Sequence, residues 1–428
     1  MPGRKRRLLI YLMLFLLLLI NYLDRIAISI AGSTISKDFH IGPVALGYLY
    51  SSSLWIYMLC LLPAGLLVDR LGTRRVVAFA IGFWSICQML CGMAWGVGSL
   101  MASRIGLGVF ESPTNAAGNR AIREWSPREE RGSATSAFIM GAYAGPAIGA
   151  PFVAWLVTRF GWREAFLITG LAGLVWLCAW LTWFRQPEEA RWLGDTEREH
   201  ILRNRDIEIE TAVDQPQGPG FRELFSSPSM WGLALAQGCM TYTQYLFLTW
   251  FPSYLQHERG LTIIRSGIYT AIPYAVTVVG CLVISWLVDR LFDADALRAG
   301  KRRYAITLFL LLSADILAAP LIHSTTLIIV LFSTSMLASA CAMSWNFALT
   351  NDLLQSPSSA GRAFALLTLG GNVFGIIAPI ATGYIVNATG RFDSAFMIAG
   401  VLLLVGAVLV LFFTRRPLGI ASDKESLG

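Results

Sequence analysis

Charged residues are scarce in this chain. Asp, Glu, Lys and Arg together make up only 14% of its 428 residues, less than in an ordinary soluble domain. Histidine occurs four times, at positions that match neither metal-ligand spacing nor a nucleophile with its base. The seven cysteines lie inside apolar segments, without the paired loop spacing of a disulfide framework or zinc site. The sequence therefore argues against a soluble domain, a disulfide-rich secreted protein and a metalloenzyme, and it predicts neither a metal nor a cofactor.

Apolar segments take up most of the chain instead. Hydrophobic residues account for 55% of the sequence, and the mean hydropathy is +0.58. A helix needs about twenty apolar residues to cross a bilayer. Twelve segments qualify, at 8–31, 45–68, 76–95, 98–122, 133–158, 164–184, 229–256, 266–288, 303–321, 326–352, 361–387 and 393–414. The sequence predicts an all-α polytopic membrane protein.

The basic residues indicate how these segments are oriented. Of the 34 Lys and Arg, 26 fall in loops or at segment ends on the side of the N-terminus, six on the other side, and two, Arg25 and Arg104, deep within apolar segments. Because loops rich in Lys and Arg face the cytoplasm, both termini are predicted to lie there, with the protein in the inner (plasma) membrane of the cell. The first segment runs past Asp24 and Arg25 without a cleavage site, so it is predicted to be a retained helix. The net charge of +7 is thus a topology signal, and no nucleic-acid partner is predicted.

A long polar stretch divides the twelve segments into two sets of six. It carries mixed charge and the run Pro216-Gln217-Gly218-Pro219-Gly220, as expected of a linker. The predicted organisation is an N-terminal bundle at 1–184, a cytoplasmic linker at 185–228, a C-terminal bundle at 229–414 and a cytoplasmic tail at 415–428.

Each half repeats a signature after its second segment. Val68-Asp69-Arg70 in the first half and Val288-Asp289-Arg290 in the second stand 220 residues apart, as two homologous halves would place them. These two acid–base pairs are candidate gating residues, since ion pairs at the ends of helices can close one side of a carrier. Solvated loop charges are the alternative interpretation.

Four ionisable residues lie deep within the first and fourth apolar segments. Asp24 and Arg25 are adjacent in the first, and Arg104 precedes Glu111 by seven residues in the fourth. A charge at the centre of a bilayer costs roughly 3 kcal/mol on insertion scales, so these groups must face one another, water or a substrate. An intramembrane arginine is suited to an organic anion. The alternative is that the four groups form interhelical salt bridges that only hold the bundle together.

At these residues the sequence resembles a known family. The loop Gly65 to Arg75 resembles a signature of the major facilitator superfamily. Other segments resemble its anion:cation symporter branch, which includes bacterial permeases for galactonate, glucarate, hexuronates, tartrate and phthalate. They are Asn21-Tyr22-Leu23-Asp24-Arg25, Phe110-Glu111-Ser112-Pro113, Glu130-Arg131-Gly132, Gly161-Trp162-Arg163 and Trp250-Phe251-Pro252-Ser253-Tyr254-Leu255.

The resemblance implies twelve transmembrane helices in two pseudosymmetric bundles that carry an organic anion with protons by alternating access. It assigns Asp24 and Glu111 as proton-carrying groups. The residues expected to bind substrate are Arg25, Tyr22, Tyr57, Arg104, Asn372 and Trp345. Desolvation favours a neutral acid and a neighbouring guanidinium favours its carboxylate, so substrate on Arg25 would change the proton affinity beside it. The expected partners are a small organic anion, protons and the lipid bilayer, and the protein is expected to act as a monomer.

Two alternatives of function stay open. A signature of drug:proton antiporters is nearly reproduced by Gly141, Gly145-Pro146 and Gly149. It would make the chain an exporter of organic anions or drug-like compounds. Close helix packing alone also explains such a series of glycines. A membrane-embedded enzyme or sensor lacks support, because neither a catalytic set nor an output domain is recognisable.

The predicted pocket departs from that of the sugar-acid permeases. Ala142 stands where galactonate carriers have glutamine, and Thr368 stands where a second asparagine is common. With fewer amides for hydroxyl groups, a less hydroxylated carboxylate is expected. Asp315 in the ninth segment is interpreted as a hydrogen-bonded interhelical acid, with a second proton site as the alternative.

Overall fold

The computed structural model describes residues 6–205, 219–291, 301–354 and 359–418. These ranges contain helices, short 3-10 segments and one isolated bridge between Leu354 and Leu418, and no strand is formed within them. The predicted all-α class is confirmed.

The α-helices of the described residues are numbered here in chain order. The first nine are α1 (Leu8–Ile30), α2 (Gly32–Phe39), α3 (Pro43–Leu71), α4 (Thr73–Gly92), α5 (Val97–Glu111), α6 (Thr114–Trp125), α7 (Arg131–Phe160), α8 (Trp162–Trp183) and α9 (Asp195–Asn204). The others are α10 (Phe221–Ser226), α11 (Pro228–His257), α12 (Ile263–Leu291), α13 (Arg302–Ser313), α14 (Thr325–Leu353), α15 (Ala360–Thr389) and α16 (Asp393–Phe413).

Most predicted membrane segments correspond to one long helix. Ten helical segments of the described chain are long and apolar enough to cross a membrane, as the predicted multi-pass membrane protein requires. The other two predicted segments differ for physical reasons. Residues 98–122 form two short helices, α5 and α6, and residues 229–256 form α11, which is long but less apolar.

The contacts within the chain define two compact units. The first comprises Met1–Ala212 with Leu255–Ala271, and the second comprises Val213–Tyr254 with Ile272–Gly428. In the first unit α1 packs along α7, α4 packs along α8, and α5 lies against both α3 and α4. In the second unit α13 packs against α14 and α16.

Two glycines bring helices of the first unit unusually close. A Cβ on Gly145 of α7 would lie 2.6 Å from the carbonyl oxygen of Leu19 in α1, and a Cβ on Gly108 of α5 would lie 2.0 Å from that of Ser53 in α3. Only glycine permits such backbone contact. These two contacts hold α7 against α1 and α3 against α5, and α1 and α5 carry the charged residues described below.

The fourth predicted segment is interrupted at Ser112-Pro113. The helix α5 ends at Glu111, and α6 begins at Thr114. Proline lacks an amide N–H and clashes with a preceding helical turn, which accounts for the break. The break leaves Glu111 as the last residue of α5, directed into the first unit, where it is 1% exposed.

The start of the predicted linker folds onto the first unit. Glu197 of α9 accepts hydrogen bonds from the backbone N–H groups of Arg6 (3.0 Å) and Arg7 (3.2 Å), which precede α1. The guanidinium of Arg7 in turn donates to both carboxylate oxygens of Glu130, at 2.7 and 2.6 Å. Glu197 therefore satisfies backbone donors that the first turn of α1 leaves without intrahelical partners.

Candidate substrate and proton site

An ion pair between α1 and α5 forms the centre of the candidate site. Arg25 Nε and Nη2 lie 2.9 and 2.8 Å from the same oxygen of Glu111, Oε2. Arg25 is 8% exposed and Glu111 is 1% exposed. Two opposite charges at this depth stabilise each other, and removal of either partner would leave a buried charge that is costly to hold.

Two tyrosines enclose the Arg25 guanidinium. Its central carbon lies 5.0 Å from the ring centroid of Tyr22 and 5.0 Å from that of Tyr57. Cation–π contacts of this kind attract the guanidinium and restrict its orientation. The Tyr57 hydroxyl also accepts a hydrogen bond from Asn115 Nδ2 of α6 at 3.0 Å. Arg25 is thus held between two aromatic faces.

Asp24 has a different environment from its neighbour Arg25. It is fully buried, and neither of its carboxylate oxygens has a hydrogen-bond partner among the described residues. The charges that act most strongly on it belong to Glu111 and Arg104. An ionised carboxylate without a partner is costly at this depth, whereas the neutral acid is tolerated far better.

Arg104 lies close to this acid but is only partly satisfied. Its Nη2 donates to Ser53 Oγ in α3 at 3.2 Å, while Nε and Nη1 have no partner in the described part of the chain. Arg104 is 2% exposed. Asp24, Arg25, Arg104 and Glu111 therefore form one buried cluster in which several polar atoms remain available to a ligand, water or a proton.

The pairing within the cluster differs from the order of the residues in the sequence. The sequence puts Asp24 beside Arg25 and Arg104 on the same helix as Glu111. In the structure the short ion pair joins Arg25 to Glu111 across two helices, and the Asp24 carboxylate has no hydrogen-bond partner among the described residues. Asn115 of α6 was not among the predicted contacts, although an amide just past a helix break is a recognisable signal.

Two predicted substrate contacts belong to the second unit. Asn372 of α15 is 9% exposed, and its Nδ2 has no partner among the described residues. The Trp345 ring of α14 packs edge-on against Phe309, with 5.5 Å between the ring centroids. Asn372 is thus available to a ligand, while Trp345 has a packing partner on α13.

A buried amide pair in the second unit was not predicted. Asn346 Nδ2 of α14 donates to Gln237 Oε1 of α11 at 3.0 Å. Both residues are almost completely buried. Sequence reasoning missed the pair because the partners are 109 residues apart. The available signal was that each is an amide inside an apolar segment.

Asp69, one of the predicted gating residues of the first half, has a partner on α6. Asp69 Oδ1 lies 3.4 Å from Arg120 Nη1, and Arg120 also donates to the carbonyl oxygen of Val68 and to Glu124, both at 2.8 Å. Arg70 is exposed. In the second half, Asp289 and Arg290 fall within α12, but their side chains lie outside the described residues.

The glycine series of α7 serves helix packing. Besides Gly145, a Cβ on Gly141 would lie 2.5 Å from the Phe15 carbonyl oxygen, and one on Gly149 would lie 2.9 Å from Leu23 Cγ. All three positions face α1.

Asp315 accepts a hydrogen bond from the Thr334 hydroxyl of α14, as expected of an interhelical acid.

Comparison with known sequences identifies the family. A sequence profile described as Major Facilitator Superfamily matches residues 14–355 and 294–426, nearly the whole chain. The chain belongs to the Major Facilitator Superfamily. It is a membrane transporter and not an enzyme, as the sequence predicted.

Curated members of this superfamily with similar sequences are named as carriers of sugar acids. A probable galactarate/D-glucarate transporter of Bacillus subtilis is 31% identical, over 95% of this chain and 94% of the relative. A D-galactonate transporter of Escherichia coli is 29% identical over 95% of both chains. A hexuronate transporter of Bacillus subtilis is 29% identical over 99% of this chain and 98% of the relative.

A solved structure shows the same superfamily fold. It is a bacterial homologue of the human lysosomal transporter Spinster, in an inward-facing and occupied conformation. The TM-score is 0.75, with 97% of this chain and 98% of that one covered at 18% identity. The predicted major facilitator fold is confirmed.

Proposed function

We propose that the protein is a proton-coupled symporter that carries an organic anion of the sugar-acid class by alternating access. The observation that carries the proposal is the buried Arg25–Glu111 ion pair, next to an acid, Asp24, that has no hydrogen-bond partner among the described residues. The names of the relatives support the substrate class. The basic residues of the loops support an inner-membrane protein with cytoplasmic termini.

Substrate binding begins at Arg25. A carboxylate with two free oxygens can form two parallel hydrogen bonds with a guanidinium, which Glu111 does not do because both contacts go to one oxygen. The incoming carboxylate therefore competes with Glu111 for Arg25. Tyr22 and Tyr57 keep the guanidinium in position, and Arg104 adds positive charge that draws the anion in.

Proton coupling follows from the loss of this ion pair. Once Glu111 no longer contacts Arg25, its carboxylate is buried without its ion-pair partner, at a cost of several kcal/mol. Uptake of a proton removes that cost, so substrate and proton bind together. Asp24, whose carboxylate has no hydrogen-bond partner among the described residues, is the second acceptor. Release of the substrate restores the Arg25–Glu111 pair and expels the proton.

Antiport receives no separate support from the fold. The glycines that resemble an antiporter signature contact α1 directly, so close packing explains their presence.

We infer that Asp69 and Arg70, with the corresponding Asp289 and Arg290, act as gating residues, and that Arg120 is the partner of Asp69 in this arrangement.

The direction of coupling can be measured in reconstituted vesicles. Addition of D-galactonate or galactarate to the medium of weakly buffered, de-energised vesicles should make that medium more alkaline, because each anion enters with protons. An inward proton gradient should also accumulate the labelled acid. Substrate leaving the vesicles as protons enter would instead identify an antiporter and refute the proposal. Vesicles with the Asp24→Asn variant provide the control for passive leakage.

A further inference from the structure

The buried amide pair of the second unit has a fixed orientation. Asn346 Nδ2 donates to Gln237 Oε1 at 3.0 Å and to the carbonyl oxygen of Leu233 at 3.2 Å. Both partners are acceptors, so the nitrogen of the carboxamide must face them. Its oxygen, Oδ1, then points elsewhere, and it has no hydrogen-bond partner among the described residues although Asn346 is 0% exposed.

A second amide atom without a partner lies on the adjoining helix α15. Gly371 packs against α11 so closely that a Cβ there would lie 3.4 Å from Gln237 Cγ and 3.0 Å from Thr241 Oγ1. The next residue is Asn372, whose buried Nδ2 lacks a partner within the described ranges. Gln237 thus contacts both α14, where Asn346 has an unused acceptor, and α15, where the residue after Gly371 has an unused donor.

An unused acceptor and an unused donor are together the complement of a hydroxyl group, which both donates and accepts. Each buried polar atom without a partner costs about 1–3 kcal/mol, so such atoms are rarely left unfilled without a reason. We propose that Asn346, oriented by Gln237, determines specificity by accepting a hydrogen bond from a hydroxyl of the transported acid, with Asn372 as the donor. The inference rests on the proposed sugar-acid transport.

This assignment alters the expected selectivity. The loss of amides at Ala142 and Thr368 favoured a less hydroxylated substrate when only the predicted contacts were counted. Gln237 and Asn346 supply amide groups at other positions in the fold. A hydroxylated acid then remains the better ligand, and the two substitutions change which hydroxyls are recognised.

A comparison of two dicarboxylates of equal chain length distinguishes recognition of hydroxyl groups from recognition of charge. Galactarate carries a hydroxyl on every inner carbon, whereas adipate carries none. Isothermal titration of the purified full-length protein should give a Kd for galactarate at least tenfold lower than that for adipate. Asn346→Leu keeps a similar volume without polar atoms. The variant should raise the Kd for galactarate about tenfold, as the loss of one hydrogen bond implies. It should change the Kd for adipate by no more than about twofold.

Gln88→Leu is the matched control. Gln88 is also a fully buried amide, bonded to Thr169 at 3.1 Å between α4 and α8, and one of its atoms likewise lacks a partner in the described chain. It lies outside the candidate site, so its substitution should leave the ratio of the two affinities unchanged.

Several results would overturn the assignment. An equal effect of Asn346→Leu on both acids, or none on either, would make Asn346 a structural brace between α11 and α14. Equal binding of both acids by the wild-type protein would refute hydroxyl recognition and leave anion symport intact. Failure to bind either acid, together with absent proton-coupled uptake, would refute both. If Asn346→Leu does not fold, we expect the same result for Asn346→Ala. The ratio of the wild-type affinities for galactarate and adipate tests hydroxyl recognition without any variant.

Discussion

Arg25 directs two nitrogens, Nε and Nη2, at a single oxygen of Glu111, at 2.9 and 2.8 Å. The second oxygen of that carboxylate, Oε1, has no hydrogen-bond partner among the described residues. A forked arginine–carboxylate pair, by contrast, uses both carboxylate oxygens in two parallel hydrogen bonds. A substrate carboxylate that offers both oxygens can replace Glu111 because it makes the better match.

Arg25→Lys should lose substrate binding although it keeps the positive charge. An ammonium cannot form the two parallel bonds of a guanidinium, and it makes weaker contacts with the faces of Tyr22 and Tyr57. We expect the Kd for galactonate or galactarate to rise by roughly ten- to a hundredfold, as the loss of a charge-assisted bond implies. Isothermal titration measures it. Arg163→Lys, at the exposed pair with Asp38, serves as control, and an unchanged Kd in Arg25→Lys would remove Arg25 from the site.

Asp24→Asn and Glu111→Gln should each uncouple transport from protons. An amide imitates the protonated acid, so neither variant needs a proton to enter the substrate-bound state. We expect accumulation of labelled acid under an inward proton gradient to be abolished, while exchange of internal for external substrate is at least partly retained. Full gradient-driven uptake by one variant would rule out that residue as an essential proton carrier. Loss of folding in both would favour a purely structural ion-pair cluster.

Gly145→Ala should destabilise the protein, whereas Gly132→Ala in the same helix should not. A Cβ at position 145 would meet the Leu19 carbonyl oxygen at 2.6 Å and Tyr22 Cβ at 2.8 Å, but nothing lies within 4 Å of a Cβ at position 132. Overpacking of this kind costs about 1–3 kcal/mol, while alanine in an open helical position is neutral or favourable. Thermal unfolding of both variants in detergent tests the contrast. Equal stability would mean that α1 and α7 are free to move apart, contrary to close packing.

The Asp38–Arg163 pair should stabilise the protein only above acidic pH. A hydrogen bond from the Arg163 guanidinium at 2.6 Å, supported by the Trp162 indole N–H at 3.1 Å, lowers the pKa of Asp38 below its usual value. A lowered pKa in the folded state gives stability that is fully present above the unfolded value of about 3.9. That stability is lost as the pH falls through the lowered folded value.

The test is the difference in Tm between wild type and Asp38→Asn as a function of pH. The difference should be constant from about pH 8 to pH 5 and should shrink below about pH 4. Asp195→Asn removes a carboxylate whose side chain is 96% exposed, and it should change the Tm little at any pH. A difference for Asp38→Asn that grows on acidification would contradict the assignment.

Hydropathy and length were sufficient to predict most helices. The segments 8–31 and 393–414 correspond to Leu8–Ile30 and Asp393–Phe413 almost residue for residue. The segment 303–321 was predicted as one helix, but α13 ends at Ser313 and a 3-10 segment, Ala314–Leu321, follows. Average hydropathy does not register such a change, because it depends on hydrogen bonding and on Pro320 near the end.

The sequence predicted which residues form the site better than it predicted which of them pair. Intramembrane charge is costly, so Asp24, Arg25, Arg104 and Glu111 stood out in the sequence. Which of them pair depends on how α1 and α5 are placed, and backbone contacts hold α5 against α3, through Gly108 and Ser53, and α1 against α7, through Leu19 and Gly145. Contacts of this kind, and the Asn346–Gln237 bond, join residues too far apart in sequence for local patterns to reveal.

The fold of the predicted linker determines where this chain can be divided. Residues up to Arg205 belong structurally to the first unit, since Glu197 of α9 bonds the residues that start α1 and Arg205 Nη1 lies 3.5 Å from the Glu124 carbonyl oxygen. A split form made of two co-expressed fragments should therefore be cut after Arg205. A cut at residue 185, where hydropathy alone would put it, would leave the first fragment without the Glu197 carboxylate that caps α1 and contacts Arg7 Nη1.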